Sequence, residues 1–107
     1  MKKELIKIIS FFGVLSQLKY FQSEIFELNE AILNYEYESQ KMYPSIDPDA
    51  YYEARDLKAH IAEEIADCYV MLEQFRLYYD IENVEITKTM KNKIKRTLDR
   101  IESGYYE

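Results

Sequence analysis

Apolar residues recur along the chain at the three- and four-residue intervals of an α-helix, and the recurrence breaks at Gly13, at Pro44 to Pro48 and at Asp80 to Glu85. This pattern predicts four helices. The first covers about Lys2 to Phe12, with Leu5, Ile6, Ile8, Ile9, Phe11 and Phe12 as its apolar residues, and Gly13 supplies a turn or kink before the second. The second, roughly Leu15 to Tyr37, belongs to a stripe of Val14, Leu18, Phe21, Ile25, Leu28 and Ile32, which must face a core. Asp47 and Pro48 announce the third helix. An aspartate satisfies free backbone N–H groups at a helix start, and a proline in the first turn lacks only an N–H that would go unbonded. That helix runs to about Tyr79, with Leu57, Ile61, Ile65, Cys68, Leu72, Phe75 and Tyr79 as its expected buried stripe. The fourth, about Ile86 to Ser103, places Ile86, Met90, Ile94 and Ile101 on one side and ends near Gly104. The expected architecture is an all-α bundle in which two long helices pair antiparallel, with a shorter helix at each end.

A chain of 107 residues has room for one core, so residues 1–107 are read as a single domain. Only two glycines and two prolines, with 48% apolar and 32% charged residues, exclude a disordered or turn-rich β protein. The basic, apolar start resembles a signal peptide, but Glu4 and Lys7 interrupt it and no small-residue cleavage site follows. No run of about 18 uncharged apolar residues occurs, so no membrane partner is expected. A lone Cys68 within an apolar pattern points to a reducing, cytoplasmic setting. The net charge of −6 argues against a nucleic-acid polymer as partner, because phosphate neutralisation needs a basic surface.

Candidate chemistry lies in two pairs of acids. Glu24 and Glu27 are three residues apart on the second helix, so they project from one flank, which Gln17, Tyr20 and Ala31 share. Glu64 and Asp67 repeat the spacing on the third, with His60 and Met71 on the same side. Glu30 is expected on the opposite flank of its helix. If the two helices pack together, four carboxylates converge, and such a cluster repels itself unless a cation neutralises it. An all-oxygen ligand set selects hard ions, Mg²⁺ or Mn²⁺. In a chain with 20 acidic residues, pairs at this spacing also arise on solvated faces by chance. A di-iron bundle is excluded, because it needs Glu-x-x-His on two helices and the residue three before His60 is Leu57. The fourth helix carries Lys88, Lys91 and Lys95 on one side of its apolar face and Lys93, Arg96 and Arg100 on the other. Either stripe can be a solvated face, or a grip on phosphate oxygens.

The segments Ser23-Glu24-Ile25-Phe26-Glu27-Leu28 and Glu63-Glu64-Ile65-Ala66-Asp67 resemble the motifs of the MazG-like, all-α nucleoside triphosphate pyrophosphohydrolases, which share a superfamily with dimeric dUTPases. Gln17 and the late Lys93, Arg96, Arg100 and Ile101 resemble flanking positions of that family. Ser23 stands where the family has an acid, and the 37 positions from Glu27 to Glu64 make a long connection.

The resemblance implies that Glu24, Glu27, Glu64 and Asp67 are the catalytic and metal-ligating residues, holding Mg²⁺. It also implies that Gln17, Lys93, Arg96 and Arg100 contact a nucleoside triphosphate, which is cut to monophosphate and pyrophosphate; Tyr20, one of 11 tyrosines, is a candidate for stacking on its base. Homodimers or homotetramers are expected on the same ground. A catalytically inactive helical module that offers its acids to a basic partner is the competing expectation.

Overall fold

The structure, a computed structural model, describes the backbone of residues 1–42 and 48–107, and the side chains of 1–38, 49 and 53–107. Four helices follow in order: α1 (Lys2–Phe12), α2 (Val14–Met42), α3 (Pro48–Tyr78) and α4 (Asn83–Glu102). There is no strand among the described residues. Most of the long connection is thus helix, since α2 runs on past Tyr37 and α3 begins at Pro48. Pro44 and the expected cap Asp47 lie outside the described residues.

Gly13 both ends α1 and starts α2: its N–H donates to the Ile9 carbonyl (2.8 Å) and its own carbonyl accepts from the Gln17 N–H (3.0 Å). Its φ of 88° lies in the region that side chains rarely enter, which explains a glycine at the joint.

α2 and α3 form the most extensive pairing and run antiparallel, as Gln17 meets Gln74, Phe21 meets Phe75 and Glu24 meets Cys68. Burial along both recurs at alternating steps of three and four residues. On α2 the inward positions are Val14, Gln17, Phe21, Glu24, Leu28, Ala31 and Tyr35; on α3 they are Ala54, Leu57, Ile61, Glu64, Cys68, Met71 and Phe75. This is the seam of two helices packed knob into hole. The Phe21 and Phe75 rings sit 5.7 Å apart within it.

The expected stripes are therefore only half right. Val14, Phe21 and Leu28 face the seam, but Leu18, Ile25 and Ile32 are 47%, 48% and 41% exposed. On α3, Ile65, Leu72 and Tyr79 are likewise exposed. Those residues fall one position past the seam, along the same flank of both helices, whereas Tyr20, Glu27, His60, Asp67 and Gln74 fall one position before a seam residue, on the other flank. An antiparallel pair brings like flanks together, so the hairpin has an apolar flank and a polar one.

α1 packs mainly on α3 and more lightly on α2, and it buries Ile9. Its Ile8 and Phe12 border the polar flank beside Tyr20 and Gln74. α4 packs along none of the other helices among the described residues, and Ile86, Met90, Ile94 and Ile101 are all exposed. Its direction is set by a tight turn. Asp80 takes a left-handed φ of 54°, its N–H donates to the Leu77 carbonyl, and the Ile81 N–H donates to the Arg76 carbonyl. The Arg76 guanidinium braces the turn, gripping Glu73 through both carboxylate oxygens and donating to the Ile81 carbonyl at 2.9 Å. Gly104 closes α4 in the same way as Asp80 closes α3, with the Tyr105 N–H on the Arg100 carbonyl. No helix of the described residues is long and apolar enough to cross a membrane.

Candidate metal centre

The antiparallel seam brings the two acid pairs to one point. Each of Glu24, Glu27, Glu64 and Asp67 places a carboxylate oxygen within 4.8 Å of those of the other three. Their surroundings differ by position. Glu24 and Glu64 occupy the seam itself and are 4% and 7% exposed, while Glu27 and Asp67 stand on the polar flank in contact with solvent. Two bases of the cluster are thus locked between helices, and two face whatever approaches.

Glu24 Oε2 and Glu64 Oε2 are buried without a hydrogen-bond donor. An orphaned carboxylate oxygen in a seam is costly, and here two sit together among like charges. Burial first, then the charges of Glu27 and Asp67, hold the Glu64 carboxyl above its ordinary value of 4.5, against a smaller pull from His60. The Tyr20 hydroxyl hydrogen-bonds the Glu24 carboxylate, and that bond and charge, with Glu27 and Asp67 beyond, raise the pKa of the phenol. Burial first, then the charges of Glu24, Asp67 and Glu64, also raise the Cys68 thiol, which lies behind the cluster with its Sγ 3.8 Å from the Glu24 carbonyl oxygen. A raised thiol makes a poor nucleophile, so Cys68 is packing. Four converging carboxylates, two of them with a buried oxygen that no donor meets, fit a hard divalent ion such as Mg²⁺ or Mn²⁺.

Two concavities flank the acids. Towards α1, a cavity of about 530 Å³ is lined by Ile8, Phe12, Ser16, Gln17, Tyr20, Glu24, Asp67, Val70, Met71 and Gln74. That volume suits a ligand with a planar apolar body and a few polar contacts. Its polar wall is an amide pair, with Gln17 Nε2 donating to Gln74 Oε1 at 2.8 Å. Gln74 Nε2 has only the Met71 thioether, 3.6 Å away and a weak acceptor. On the other side a groove holds Glu30, Ala31, Leu33, Asn34, Tyr37 and His60. Glu30 therefore lies beside the polar flank and not on the opposite one: it precedes the seam residue Ala31 directly, at the edge from which Glu27 and Asn34 project. His60 is half exposed, with Nε2 3.9 Å from Glu64 Oε1.

Of the residues singled out in the sequence, Gln17, Tyr20, Glu24, Glu27, Glu64 and Asp67 are brought together on this flank. Lys93, Arg96 and Arg100 are not. Arg96 and Arg100 line a shallow groove on α4 itself with Asn92, Lys95, Asp99 and Ser103, and the Arg100 guanidinium lies 4.8 Å over the Tyr105 ring. Among the described residues, neither concavity beside the acids has a lysine or arginine in its wall. Ser23 turns away too, its hydroxyl donating to the Tyr20 carbonyl at 2.7 Å. Gln74 is the residue that sequence reasoning missed. Its signal was the seven-residue interval His60, Asp67, Gln74, which keeps one flank over two turns each time.

No known protein family, curated protein or solved structure matches the chain.

Proposed function

We propose that the chain is a magnesium-dependent hydrolase of nucleoside triphosphates, releasing monophosphate and pyrophosphate. The observation that carries this reading is the pair of orphaned, buried oxygens on Glu24 and Glu64 within a four-carboxylate cluster. A seam that served stability alone would be apolar at those positions, and a solvated acidic face would not bury them. The likeness to the MazG-like proteins rests on the residues quoted above and agrees with this placement.

Glu24, Glu27, Glu64 and Asp67 would hold the cation, which when bound would neutralise phosphate oxygens and make water acidic enough to attack phosphorus. The protein's own residues then divide the remaining work. The cavity next to Glu24 and Asp67 receives the nucleoside: Tyr20 and Phe12 offer aromatic faces to a base, and the Gln17–Gln74 amides offer it a donor and an acceptor. With the nucleoside held there, the α-phosphate reaches the acids first. The chain beyond it points along the groove past His60 and Asn34. Water adds at the α-phosphorus as the bond to the bridging oxygen of the β-phosphate breaks, and pyrophosphate leaves with that electron pair.

A panel of ribo- and deoxyribonucleoside triphosphates, assayed with Mg²⁺ for pyrophosphate release, tests the reading. Turnover of at least one, abolished by chelation and by Glu64→Gln, is expected. No turnover of any at high protein concentration would favour the second reading, a non-catalytic module that binds a basic partner. The placing of Arg96 and Arg100 in a groove on α4 itself favours that second reading, since no lysine or arginine of the described residues lines either concavity beside the acids.

A further inference from the structure

Among the described residues α4 packs along no other helix, and its apolar side chains are exposed from Val84 to Ile101. An isolated 20-residue helix is marginal in water, so α4 gains stability from whatever meets that face. At about 100° per residue, Ile86, Met90, Ile94, Leu98 and Ile101 fall within about a third of the circumference. Lys88, Lys91 and Lys95 follow one edge of that face and Lys93, Arg96 and Arg100 the other, while Glu85, Asn92 and Asp99 lie at the back. We infer that α4 lies flat on an anionic lipid surface, with its aliphatic face at the acyl chains and its two cationic edges at the headgroups.

Three observations favour this occupant. The first is the double edge. Cations on both sides of one aliphatic face meet a plane of negative headgroups together, and their long stems cover the boundary while the charges stay in water. The second is the separation of charge. α4 carries six Lys and Arg against three Asp and Glu, whereas the rest of the chain carries eight against seventeen. Fields fade over about 8 Å at physiological ionic strength, so a helix that stands apart from the acidic hairpin meets the surface by its own charge, and the hairpin is turned away from it. The third lies just beyond α4, where Tyr105 and Tyr106 are exposed, since amphipathic rings settle at the level of the headgroups. An acidic protein would match the charge, but it must supply acids along both rims of an apolar groove, which any patch of an anionic bilayer offers. The lack of a long, uncharged apolar run excludes a helix that crosses a membrane, not one that lies upon it. This inference does not rest on the metal reading and survives its failure.

The test is flotation of the full chain with phosphatidylcholine vesicles, with and without phosphatidylserine, beside hydrogen exchange of α4. Binding to the phosphatidylserine vesicles is expected, weakened by added salt and at least about tenfold weaker on phosphatidylcholine alone. The α4 amides should exchange fast in buffer and slowly on the anionic vesicles. Ile94→Glu, and the pair Lys93→Gln with Arg96→Gln, should each lower the partition coefficient about tenfold or more. Glu85→Gln, at the back of the helix, should bind at least as tightly as the native chain. Should Ile94→Glu fail to fold, the exchange measurement on the unaltered chain still decides. No binding to phosphatidylserine vesicles overturns the inference, and so does binding that Ile94→Glu leaves unchanged. Amides of α4 already protected in buffer, with a solution mass of twice 12.9 kDa, overturn it in favour of a second copy of the chain. Protection of α4 by polyglutamate and not by vesicles overturns it in favour of an acidic protein.

Discussion

Replacing Glu24 by glutamine keeps the size of the side chain and an oxygen for the Tyr20 hydroxyl, and removes one charge from a cluster whose oxygens lie within 4.8 Å of one another. At that distance one ionised neighbour costs about 3.5 kcal/mol in surroundings of effective dielectric 20, and about 0.9 kcal/mol in bulk water. Glu27 and Asp67 face solvent, so the lower part of this range applies to them. Without metal, Glu24→Gln should therefore raise stability by about 1 to 3 kcal/mol. For a domain of this size that is roughly 5 to 15 °C in Tm.

With saturating Mg²⁺ the order reverses. At a thousand times its dissociation constant, an ion bound only by the folded state adds about 4.1 kcal/mol, or roughly 20 °C, to the native protein. The variant, with a weakened site, should gain little. Thermal melts of both proteins at one concentration, with chelator and with a Mg²⁺ series, read out the crossover, and Glu85→Gln on α4 serves as the silent control. Equal melting of the two proteins in chelator, followed by equal shifts with Mg²⁺, would refute both the repulsion and the site.

The raised Glu64 carboxyl gives a pH dependence. Between 4.5 and its raised folded value the native state binds the extra proton, so this group's stabilisation is complete below that window and is lost as pH rises through it. Metal-free Glu64→Gln should then gain on the native protein as pH climbs from 4.5, and a gap in Tm that stays constant would show the carboxyl to be ordinary. Gln74→Ala strips the Gln17 amide of its acceptor and should cost about 1 to 3 kcal/mol in denaturant melts. It should also raise KM for whichever nucleotide is turned over, and an unchanged KM would remove the amide pair from the binding site. Asp80→Val places a β-branched side chain at a left-handed φ, so a loss of about 1 to 2 kcal/mol is expected. Arg76→Ala should leave the α2–α3 pairing intact while speeding hydrogen exchange at residues 79–83, whose turn it braces; unaltered exchange there would deny it that role.

The four helices and the meeting of the acids were legible in the sequence for a simple reason. A helix fixes where residues three and four apart must point, and the Glu24–Glu27 and Glu64–Asp67 spacings needed only an antiparallel partner to converge. Which side of each helix turned inward was not legible. Judged by hydropathy, Leu18, Ile25 and Ile32 outrank Gln17, Glu24 and Ala31, yet the latter three are buried and the former exposed. Seven-residue spacing describes both sets equally well. The placing of the α4 cations was not legible either. Lys93, Arg96 and Arg100 share a face by spacing alone, but where that face goes depends on the 79–82 turn, whose left-handed Asp80 no stripe of charges announces.

The misread stripes have one physical cause. Hydropathy ranks residues by what they gain from leaving water, and it is silent about which surface takes them out of it. In this chain the apolar residues exceed what its own helices cover, so Ile25 and Ile65 outline a face that α2 and α3 do not close against each other. The seam between α2 and α3 is correspondingly free to hold Glu24 and Glu64 at its centre, because it need not supply all of the protein's apolar burial. Glutamates in the seam and isoleucines on the outside are thus two consequences of one division. The polar flank gathers the acids, and the apolar flank is left exposed.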